Sequence, residues 1–441
     1  MSHDSRQCRL KPFHSSLAST VVGWIRGVKE LRFVAPYTPP PLTPEKVLAW
    51  RRGRQESLIC EDPDAGPVAY AELVHASAAQ DEIWIAHLVV DPARRGAGLG
   101  QAFTRRLLQR AFEHHRAAHV HLSVFEDNAP AKACYERCGF RAYARRPAGV
   151  EWLRSGPPLL DMRVERFGWL ARQWKDRLAG AGAGADWPAF YRRYAALRRS
   201  WDPQFDERLA LAFEASGLSA DEPFLAADLG AGPGLLSEAI ARRFPGARVH
   251  AFEAHPLSLL LGEGAMGEAL PGRIVFEPAD LRQSDWVFGR GGAFRLAAST
   301  LAAHWMSRRS LRRLYSQTAA ALSPGGVFFN SDHVAPDSWL AATWARAALA
   351  RAFPRRGAGA DAEARQQAWT AFWADLKREL GVETLCREMD REFAVYEGCE
   401  TGYPRGFHLA VLRRAGFEDA REIWRRGGEA VVLARKPAAR Q

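Results

Sequence analysis

The stretch VVDPARRGAGLGQAF, from Val89 to Phe103, ends an apolar strand with a basic turn and passes through three alternating glycines into the start of a helix. A helix N-terminus offers free backbone N–H groups and the positive end of the helix dipole, and glycines let an anion reach that backbone. The stretch therefore predicts a phosphate-binding loop in an α/β fold, with a simple basic turn as the alternative. ADLGAGPGLL, from Ala227 to Leu236, has the same character and predicts a second such loop.

Two common phosphate-binding motifs do not fit the first loop. No Lys-Ser or Lys-Thr pair follows its glycines, so the loop is not a Walker P-loop. Its G-x-G-x-G spacing also differs from the G-x-G-x-x-G of dinucleotide-binding folds. Which phosphate it binds therefore depends on motifs elsewhere in the chain.

The composition is that of a globular chain with two or three domains. The 441 residues exceed the usual size of one domain, and 47% hydrophobic with 25% charged residues is ordinary for a soluble enzyme. Of the net charge of +11, most lies in the first 180 residues, which hold 27 Lys+Arg against 19 Asp+Glu. This excess favours an anionic partner, such as a polyphosphate cofactor or nucleic acid, or reflects an arginine-rich composition.

No targeting or membrane segment is predicted. The N-terminus lacks the apolar core of a signal peptide, and no apolar run is long enough to span a membrane, so we expect a cytoplasmic protein. The six cysteines form no C-x-x-C pair. We therefore expect free, mostly buried thiols in a reducing compartment, and no metal site.

The apolar pattern divides the chain into two domains. Residues 1–166 alternate short strands with helices and predict a mixed α/β domain with a mostly antiparallel sheet. Residues 167–185 predict a linker, helical over 167–178 and flexible in the glycine- and alanine-rich LAGAGAGADW. Residues 186–441 begin with helices and then alternate strands with helices, which predicts a Rossmann-like, doubly wound parallel sheet with a helical insertion at about 338–391.

Two motifs follow each other in the first domain. A strand ends in Val90-Asp91-Pro92, and the loop from Arg95 to Gly100 fits R-x-x-G-x-G/A before a helix. Further along stand Asn128, Ala131, Tyr135 and Gly139-Phe140. On these residues, the segment 6–166 resembles the GNAT acetyltransferase superfamily. The resemblance implies acetyl-CoA as the cofactor, with the coenzyme A pyrophosphate at the loop.

The same resemblance implies a role for each position along the cofactor. The backbone of Val89 and Val90 would line the pantetheine arm, Asn128 would lie near the cofactor, and Tyr135 would protonate the departing thiolate. The pyrophosphate loop comprises Arg95, Gly96, Ala97, Gly98, Leu99 and Gly100.

An acetyl transfer also needs a base, because the attacking amine must lose a proton. Glu72, His75 and His87 lie on the predicted central strands and are candidates, acting directly or through water. Four further histidines are expected to form a solvated edge and not a metal site: His114, His115, His119 and His121.

The second loop is accompanied by acidic residues at regular intervals. Asp228 precedes its three glycines (Gly230, Gly232 and Gly234), where a carboxylate suits a cationic amino acid better than a pyrophosphate. Glu253 ends the next strand and suits a ribose diol, and Asp280-Leu281 follow the third strand, where an acid can meet an adenine amino group. On these residues, the segment 186–437 resembles the class I S-adenosylmethionine-dependent methyltransferases. The segment departs from that family at Phe294-Arg295, where an acid often opens strand four.

Strand four continues into AASTLAAHWM, which resembles methyltransferases that act on small molecules, of the trans-aconitate and quinone-pathway type. Methyl transfer depends mainly on positioning, since the sulfonium donor is already activated. Where the acceptor must lose a proton, His304, Asp332 and His333 are candidates, because they follow strands four and five. Aromatic residues that wall the pocket, or simply pack the core, are Tyr191, Tyr194, Trp201, Trp305 and Trp339.

The sequence therefore predicts a bifunctional transferase, with acetyl transfer from acetyl-CoA to an amine and methyl transfer from S-adenosylmethionine to a small molecule. The basic first half keeps an RNA-modifying enzyme as an alternative, although no RNA-binding module is evident. In a third hypothesis, the first domain binds acetyl-CoA without catalysis and regulates the second. The two acceptors and the oligomeric state are not predicted.

Overall fold

The structure is a computed structural model that describes residues 8–50, 55–76, 81–149, 157–282, 285–287, 290–335, 358–393 and 402–439. The chain divides into two compact units, Met1–Trp169 and Leu170–Gln441. Helix α6 spans Arg166–Ala181, and Leu178 is buried. The prediction of a flexible segment from Leu178 is therefore wrong up to Ala181, because the helix continues to that residue and buries Leu178. The domain boundaries proposed from the sequence stay a prediction.

The first unit is a mixed α/β fold around one seven-stranded sheet of order β1-β2-β3-β4-β5-β7-β6. Only β4 and β5 are parallel; every other neighbouring pair in this sheet is antiparallel. The strands are β1 Arg9–Pro12, β2 Gln55–Asp62, β3 Gly66–His75, β4 Glu82–Val90, β5 His119–Phe125, β6 Arg141–Arg146 and β7 Leu159–Glu165. The helices are α1 Ala18–Gly23, α2 Gly27–Val34, α3 Pro44–Ala49, α4 Leu99–Gln109 and α5 Ala129–Arg137.

The centre of this sheet is irregular in two ways. Strands β4 and β5 pair only over Glu82–Trp84 with His119–His121. Further along β4, the register against β3 shifts, so that His87 and Leu88 together oppose a single residue, which is a β-bulge. His87 has φ 50°, in the left-handed region. The bulge and the short pairing leave the end of β4, next to the glycine loop, without β5 as a neighbour.

The second unit has a sheet of order β10-β9-β8-β11-β12-β15-β14, to which β13 adds by pairing with β12. Strands β8 to β12 are parallel and β15 is antiparallel to its neighbours, which confirms the doubly wound prediction. The strands are β8 Leu225–Leu229, β9 Arg248–Glu253, β10 Ile274–Pro278, β11 Phe294–Thr300, β12 Leu322–Ala335, β13 Tyr403–Pro404, β14 Asp419–Arg426 and β15 Glu429–Arg435.

The helices of the second unit pack on both faces of its sheet. They are α7 Trp187–Trp201, α8 Phe205–Ser216, α9 Leu235–Arg243, α10 Pro256–Ala269, α11 Arg308–Ala321, α12 Ala358–Glu379, α13 Glu383–Phe393 and α14 Arg405–Arg414. Two large buried clusters divide between the faces, one containing Phe329 and Leu433 and the other Phe328 and Val432. Of the predicted helical insertion, 358–393 is largely helical as α12 and α13, and residues 338–357 lie outside the described residues.

The expectation of free thiols is wrong for Cys8 and Cys60, which form a disulfide. The two residues are 52 apart in sequence, and antiparallel pairing of β1 with β2 brings their Cα atoms within 5.4 Å. Cys134, Cys138 and Cys386 are reduced thiols, and Cys399 lies outside the described residues. Among the residues that the structure describes, no helix is long and apolar enough to cross a membrane.

Candidate functional sites

The first glycine loop has the conformation that only glycine adopts easily. Gly96 and Gly98 both have φ 84°, and Gly98 is the N-cap of α4. A Cβ at either position would meet no other atom within 4 Å. Gly96, Ala97 and Gly98 are exposed, and Leu99 and Gly100 open the helix. The loop therefore presents open backbone at a helix N-terminus, which suits an anion.

Arg95, which is predicted to take part in phosphate binding, is held by several groups of the protein. Its guanidinium donates to both carboxylate oxygens of Glu30, at 2.8 and 3.2 Å, and to the carbonyl oxygen of Trp24 at 2.9 Å. Its Nε donates to the carbonyl oxygen of Val90 at 3.0 Å. These bonds tie the loop to α1, α2 and β4, so Arg95 fixes the loop and leaves the backbone to meet the ligand.

Two of the three base candidates come together at the bulge of β4. Glu72 is fully buried, and its carboxylate accepts from Tyr70 Oη at 2.5 Å and bonds His87 Nδ1 at 2.9 Å. The indole of Trp50 stacks on the His87 ring at 4.3 Å between centroids. Nε2 of His87 makes no hydrogen bond to any residue that the structure describes. Glu72 therefore orients an imidazole whose second nitrogen is available.

The other histidines of this unit lie away from that pair. His75 is at the far end of β3, with its ring 4.9 Å from that of His115. His121 is buried and stacks on Trp84, so the expected solvated edge is wrong for it. Burial and the charge of Arg163 lower the pKa of His121 to about 4. Within the described ranges, no cluster of His, Cys, Asp and Glu could hold a metal ion.

Helix α5 carries the two remaining candidates of the first site. Asn128 is its N-cap, and Oδ1 accepts from the backbone N–H of Ala131 at 3.4 Å. Burial, followed by the neighbouring thiols of Cys134 and Cys138, raises the pKa of Tyr135 well above its ordinary value. The phenol therefore keeps its proton at neutral pH, which a general acid requires.

The second glycine loop is closely packed. Gly230, Gly232 and Gly234 have φ of 80°, 54° and 97°. A Cβ at Gly230 would lie 2.5 Å from the Cβ of Ala302, and one at Gly234 would lie 2.7 Å from the ring of Phe276. No side chain fits at those two glycines, so the backbone conformation there depends on glycine.

Asp228, which precedes these glycines, is fully buried in the core of the unit. Ser237 Oγ donates to its Oδ2 at 2.6 Å, and Oδ1 has no hydrogen-bond partner. Burial raises the pKa of Asp228 to about 7, with a further contribution from the charge of Glu253, although the Ser237 hydroxyl lowers it. A carboxylate with an unpaired buried oxygen beside the loop suits a cationic group.

The other two predicted acids are held by nearby donors. Glu253 accepts from the backbone N–H of Gly232 at 2.7 Å and of His255 at 2.8 Å. Asp280 accepts from Arg282 through both carboxylate oxygens, at 2.8 and 2.9 Å, and Leu281 is buried beside it. Glu253 thus joins the glycine loop directly, whereas Asp280 would have to share its oxygens with Arg282 to meet a ligand.

A histidine and a carboxylate meet at the ends of β11 and β12. Asp332 is buried and accepts from the backbone N–H of His304 at 3.0 Å and of His333 at 2.8 Å. The His304 ring bonds Asp332 through Nδ1 at 2.6 Å, and its Nε2 has no partner among the described residues. Burial alone would raise the pKa of Asp332, but the hydrogen bonds that it accepts from His304 and from the backbone of His333 outweigh burial and lower that pKa. Asp332 is therefore ionised and orients His304.

Of the aromatic residues predicted to line the methyltransferase pocket, only some lie near the second glycine loop. Tyr191 donates to Glu238 at 2.6 Å, Trp305 is exposed by 38%, and Trp339 lies outside the described residues. The Tyr194 hydroxyl lies 3.4 Å from the position of a Cβ on Gly232, so this tyrosine does border the loop. The sequence interpretation missed the aromatic residues of α12 that surround Tyr194 and Trp201, which are Trp369, Phe372 and Trp373.

Comparison with known families identifies both units. Residues 24–140 match the Acetyltransferase (GNAT) family, and residues 226–326 match a family described as Methyltransferase domain. The chain joins a GNAT acetyltransferase domain to a methyltransferase domain. The fold class predicted for each unit is confirmed. The GNAT match includes the first glycine loop and α5, and the methyltransferase match includes the second loop, Glu253 and His304.

Individual relatives match a short part of the chain. The chain is 32% identical to a spermine/spermidine N(1)-acetyltransferase of Bacillus subtilis (strain 168) over 59 residues, 13% of this chain and 39% of that protein. A probable spermine N(1)-acetyltransferase of Bacillus subtilis subsp. natto gives the same identity and coverage. The chain thus spans well under half the length of these relatives.

Solved structures also match part of this chain. A spermidine N-acetyltransferase from Vibrio cholerae, in complex with CoA and spermine, has 14% identity and a TM-score of 0.34, covering 37% of this chain and 99% of that one. A manganese complex of the spermidine/spermine N-acetyltransferase from the same organism has 15% identity and a TM-score of 0.31, covering 38% and 98%.

Proposed function

We propose that the chain is a bifunctional transferase that acetylates an amine with acetyl-CoA and methylates a small molecule with S-adenosylmethionine. One observation carries the proposal. In each unit a buried carboxylate orients a histidine near a glycine loop, Glu72 with His87 in the first and Asp332 with His304 in the second. In each case the imidazole Nε2 is left to take a proton from an acceptor.

The first glycine loop supports acetyl-CoA as the acetyl donor. When bound, acetyl-CoA supplies an activated thioester. The open backbone of Gly96 and Gly98 at the start of α4 would hold its pyrophosphate, without help from the paired Arg95. The backbone of Val89 and Val90 would follow the pantetheine arm, because β5 does not pair with β4 there.

Acetyl transfer then needs two proton movements. Nε2 of His87 takes a proton from the amine as its nitrogen bonds to the acetyl carbon, and Glu72 stabilises the imidazolium through Nδ1. As the carbon–sulfur bond breaks, the Tyr135 hydroxyl gives its proton to the thiolate. The stacked indole of Trp50 restricts the His87 ring to the orientation in which Nε2 is available.

The acetyl acceptor that we propose is an amine, and a polyamine is the first candidate to test. The named relatives are spermine and spermidine acetyltransferases, which supports that choice for the first unit. Amines of this class are protonated at neutral pH, so one proton must leave to solvent before the nitrogen can attack, and the Glu72–His87 pair takes the second as the bond forms.

The second unit supports a methyl donor with a cationic amino acid group. When bound, S-adenosylmethionine supplies an activated methyl group. Asp228 offers a carboxylate for the amino group, and Glu253 offers one for the ribose diol. Nε2 of His304 would remove a proton from the acceptor as the methyl carbon exchanges its bond to the sulfonium sulfur for one to the acceptor, and Asp332 would stabilise the imidazolium. Both proposed donors are cytoplasmic metabolites, which supports a cytoplasmic protein.

The acetyl transfer is tested by thiol release from acetyl-CoA with a panel of amines that includes spermidine. Glu72→Gln keeps the shape of a buried side chain but removes the charge, so we expect kcat to fall ~10²-fold or more. Glu61→Gln on β2 is the matched control, because Glu61 pairs with Lys11 away from the bulge. Thiol release that is unchanged in Glu72→Gln would contradict the mechanism.

The same samples separate catalysis from regulation. If acetyl-CoA raises the unfolding temperature of the protein but no amine releases thiol, while methylation changes with acetyl-CoA, the first unit is a sensor. If S-adenosylmethionine does not stabilise the protein at all, the methyltransferase proposal fails.

A further inference from the structure

Helix α7 carries four arginines, of which Arg192, Arg193 and Arg199 are exposed. Arg193 pairs with Glu379 at 3.1 Å, and Arg199 pairs with Asp206 at 3.4 Å. Arg198 makes no ion pair among the described residues and is half-buried. Its guanidinium instead lies over the ring of Trp369, 5.5 Å from the centroid.

The nearest carboxylate along the helix is only partly engaged. Asp202 is buried one turn after Arg198, its Oδ2 accepts from Arg208 at 2.5 Å, and its Oδ1 has no hydrogen-bond partner. Arg208 also pairs with Glu429, so the charge of Arg198 helps to compensate Asp202 without bonding to it. The guanidinium of Arg198 makes no hydrogen bond to the described residues and keeps its donors for another group.

Arg198 lies close to the methyl-donor loop. Tyr194 precedes it by one helical turn, and the Tyr194 hydroxyl borders Gly232. The Tyr194 ring lies 5.8 Å from that of Trp369, the indole that Arg198 covers. Burial raises the pKa of Tyr194 to about 12, and the charge of Arg198 opposes that rise.

The charge of Arg198 also acts on His333, which lies on β12. Burial lowers the pKa of His333, the charges of Arg208 and Arg198 lower it further, and the carboxylate of Asp332 opposes them. The rings of His333 and His304 are 4.8 Å apart. Arg198 is thus within electrostatic range of both the donor loop and the end of β12 that carries the proposed base.

We propose that Arg198 binds a carboxylate inside the methyltransferase site. The inference rests on the proposed methyl transfer and names a chemical class for the ligand. A guanidinium is planar, binds a carboxylate through two parallel hydrogen bonds, and tolerates an aromatic face beneath it. The carboxylate belongs either to the amino acid part of the methyl donor or to the acceptor.

The test for the donor is a comparison of S-adenosylmethionine with its decarboxylated analogue by isothermal titration. If the donor supplies the carboxylate, the analogue binds the native chain about tenfold more weakly or worse, since an ionic hydrogen-bonded pair is lost. In Arg198→Met the two ligands bind with similar affinity. Arg199→Met is the control and keeps the native difference.

The test for the acceptor uses benzoate and its neutral isostere benzamide as probes, titrated by tryptophan fluorescence with S-adenosylhomocysteine present. If the acceptor supplies the carboxylate, benzoate binds the native chain and Arg199→Met about tenfold more tightly than benzamide, and Arg198→Met loses that preference. If the native chain and Arg198→Met show the same ratio of affinities within each ligand pair in both tests, the role of Arg198 is wrong, while the methyl-transfer proposal stands. Failure of the native chain to bind S-adenosylmethionine or S-adenosylhomocysteine overturns the methyl-transfer proposal as well.

Discussion

Replacement of Asp228 by asparagine should change how the stability of the protein depends on pH. Burial raises the pKa of this carboxyl from 3.8 to about 7, and only Ser237 compensates it by a hydrogen bond. Because the folded-state pKa is the higher one, the folded protein holds the proton more tightly, and stability is lost as pH rises from about 4 through 7. A shift of this size corresponds to about 4 kcal/mol when the group is fully ionised, more than half of it between pH 5 and pH 8.

The assay is urea unfolding of the full chain at four pH values between 5 and 8, for the native sequence and for Asp228→Asn. The amide does not ionise, so any constant cost of the substitution cancels when the pH dependence of the two proteins is compared. Between pH 5 and pH 8, we expect the free energy of unfolding of Asp228→Asn to rise by roughly 2–3 kcal/mol relative to that of the native chain. Asp221→Asn, at an exposed position, should give no such gain.

Donor binding should show the opposite requirement at the same residue. A cationic amino group needs the ionised carboxylate of Asp228. As the pH is raised towards 7, the affinity for S-adenosylmethionine should therefore increase about tenfold per pH unit, and above pH 7 it should become constant. Asp228→Asn should bind weakly at every pH. Parallel stability curves for the native chain and Asp228→Asn from pH 5 to 8 would refute the reasoning.

Three further substitutions test the two sites and the core. Tyr135→Phe should lower the rate of acetyl transfer ~10²-fold, measured by thiol release, with acetyl-CoA affinity changed less than twofold, because only the proton is removed. Gly230→Ala should abolish stabilisation by S-adenosylmethionine in thermal unfolding, since the added Cβ would lie 2.5 Å from the Cβ of Ala302. The control is Gly267→Ala on α10, where a Cβ would meet no other atom within 4 Å. This control should leave the stability unchanged or raise it by up to ~1 kcal/mol. Arg208→Met should cost ~3–5 kcal/mol in urea unfolding, because both of its carboxylate partners would lose their compensating charge.

Local signals in the sequence mark most of the helices and strands and both loops. Thr43 caps α3 through Oγ1, and Thr-Pro before an apolar run is a local signal for such a helix start. The apolar face of α4, with Phe103, Leu107 and Leu108, is buried as its helical spacing predicts. Both glycine loops join a strand to a helix, because glycine spacing and strand ends are features of a few consecutive residues.

Features that depend on distant residues were not predictable in the same way. The bond between Glu72 and His87 exists because a bulge shifts the register of β4, and no local pattern marks that bulge. Helix α2 and the aromatic face of α12 were missed, since their role depends on what packs against them. The pairing of Arg95 with Glu30 is a further example, because the two residues are 65 positions apart.

The pairing of Arg95 with Glu30 changes what holds an anion at the first glycine loop. With that guanidinium paired, Arg94, which is exposed, is the neighbouring side chain that still offers its charge beside the glycines. A further attraction comes from backbone N–H groups at fixed positions, which act over a few ångströms. The loop would therefore select its ligand by close fit to the main chain.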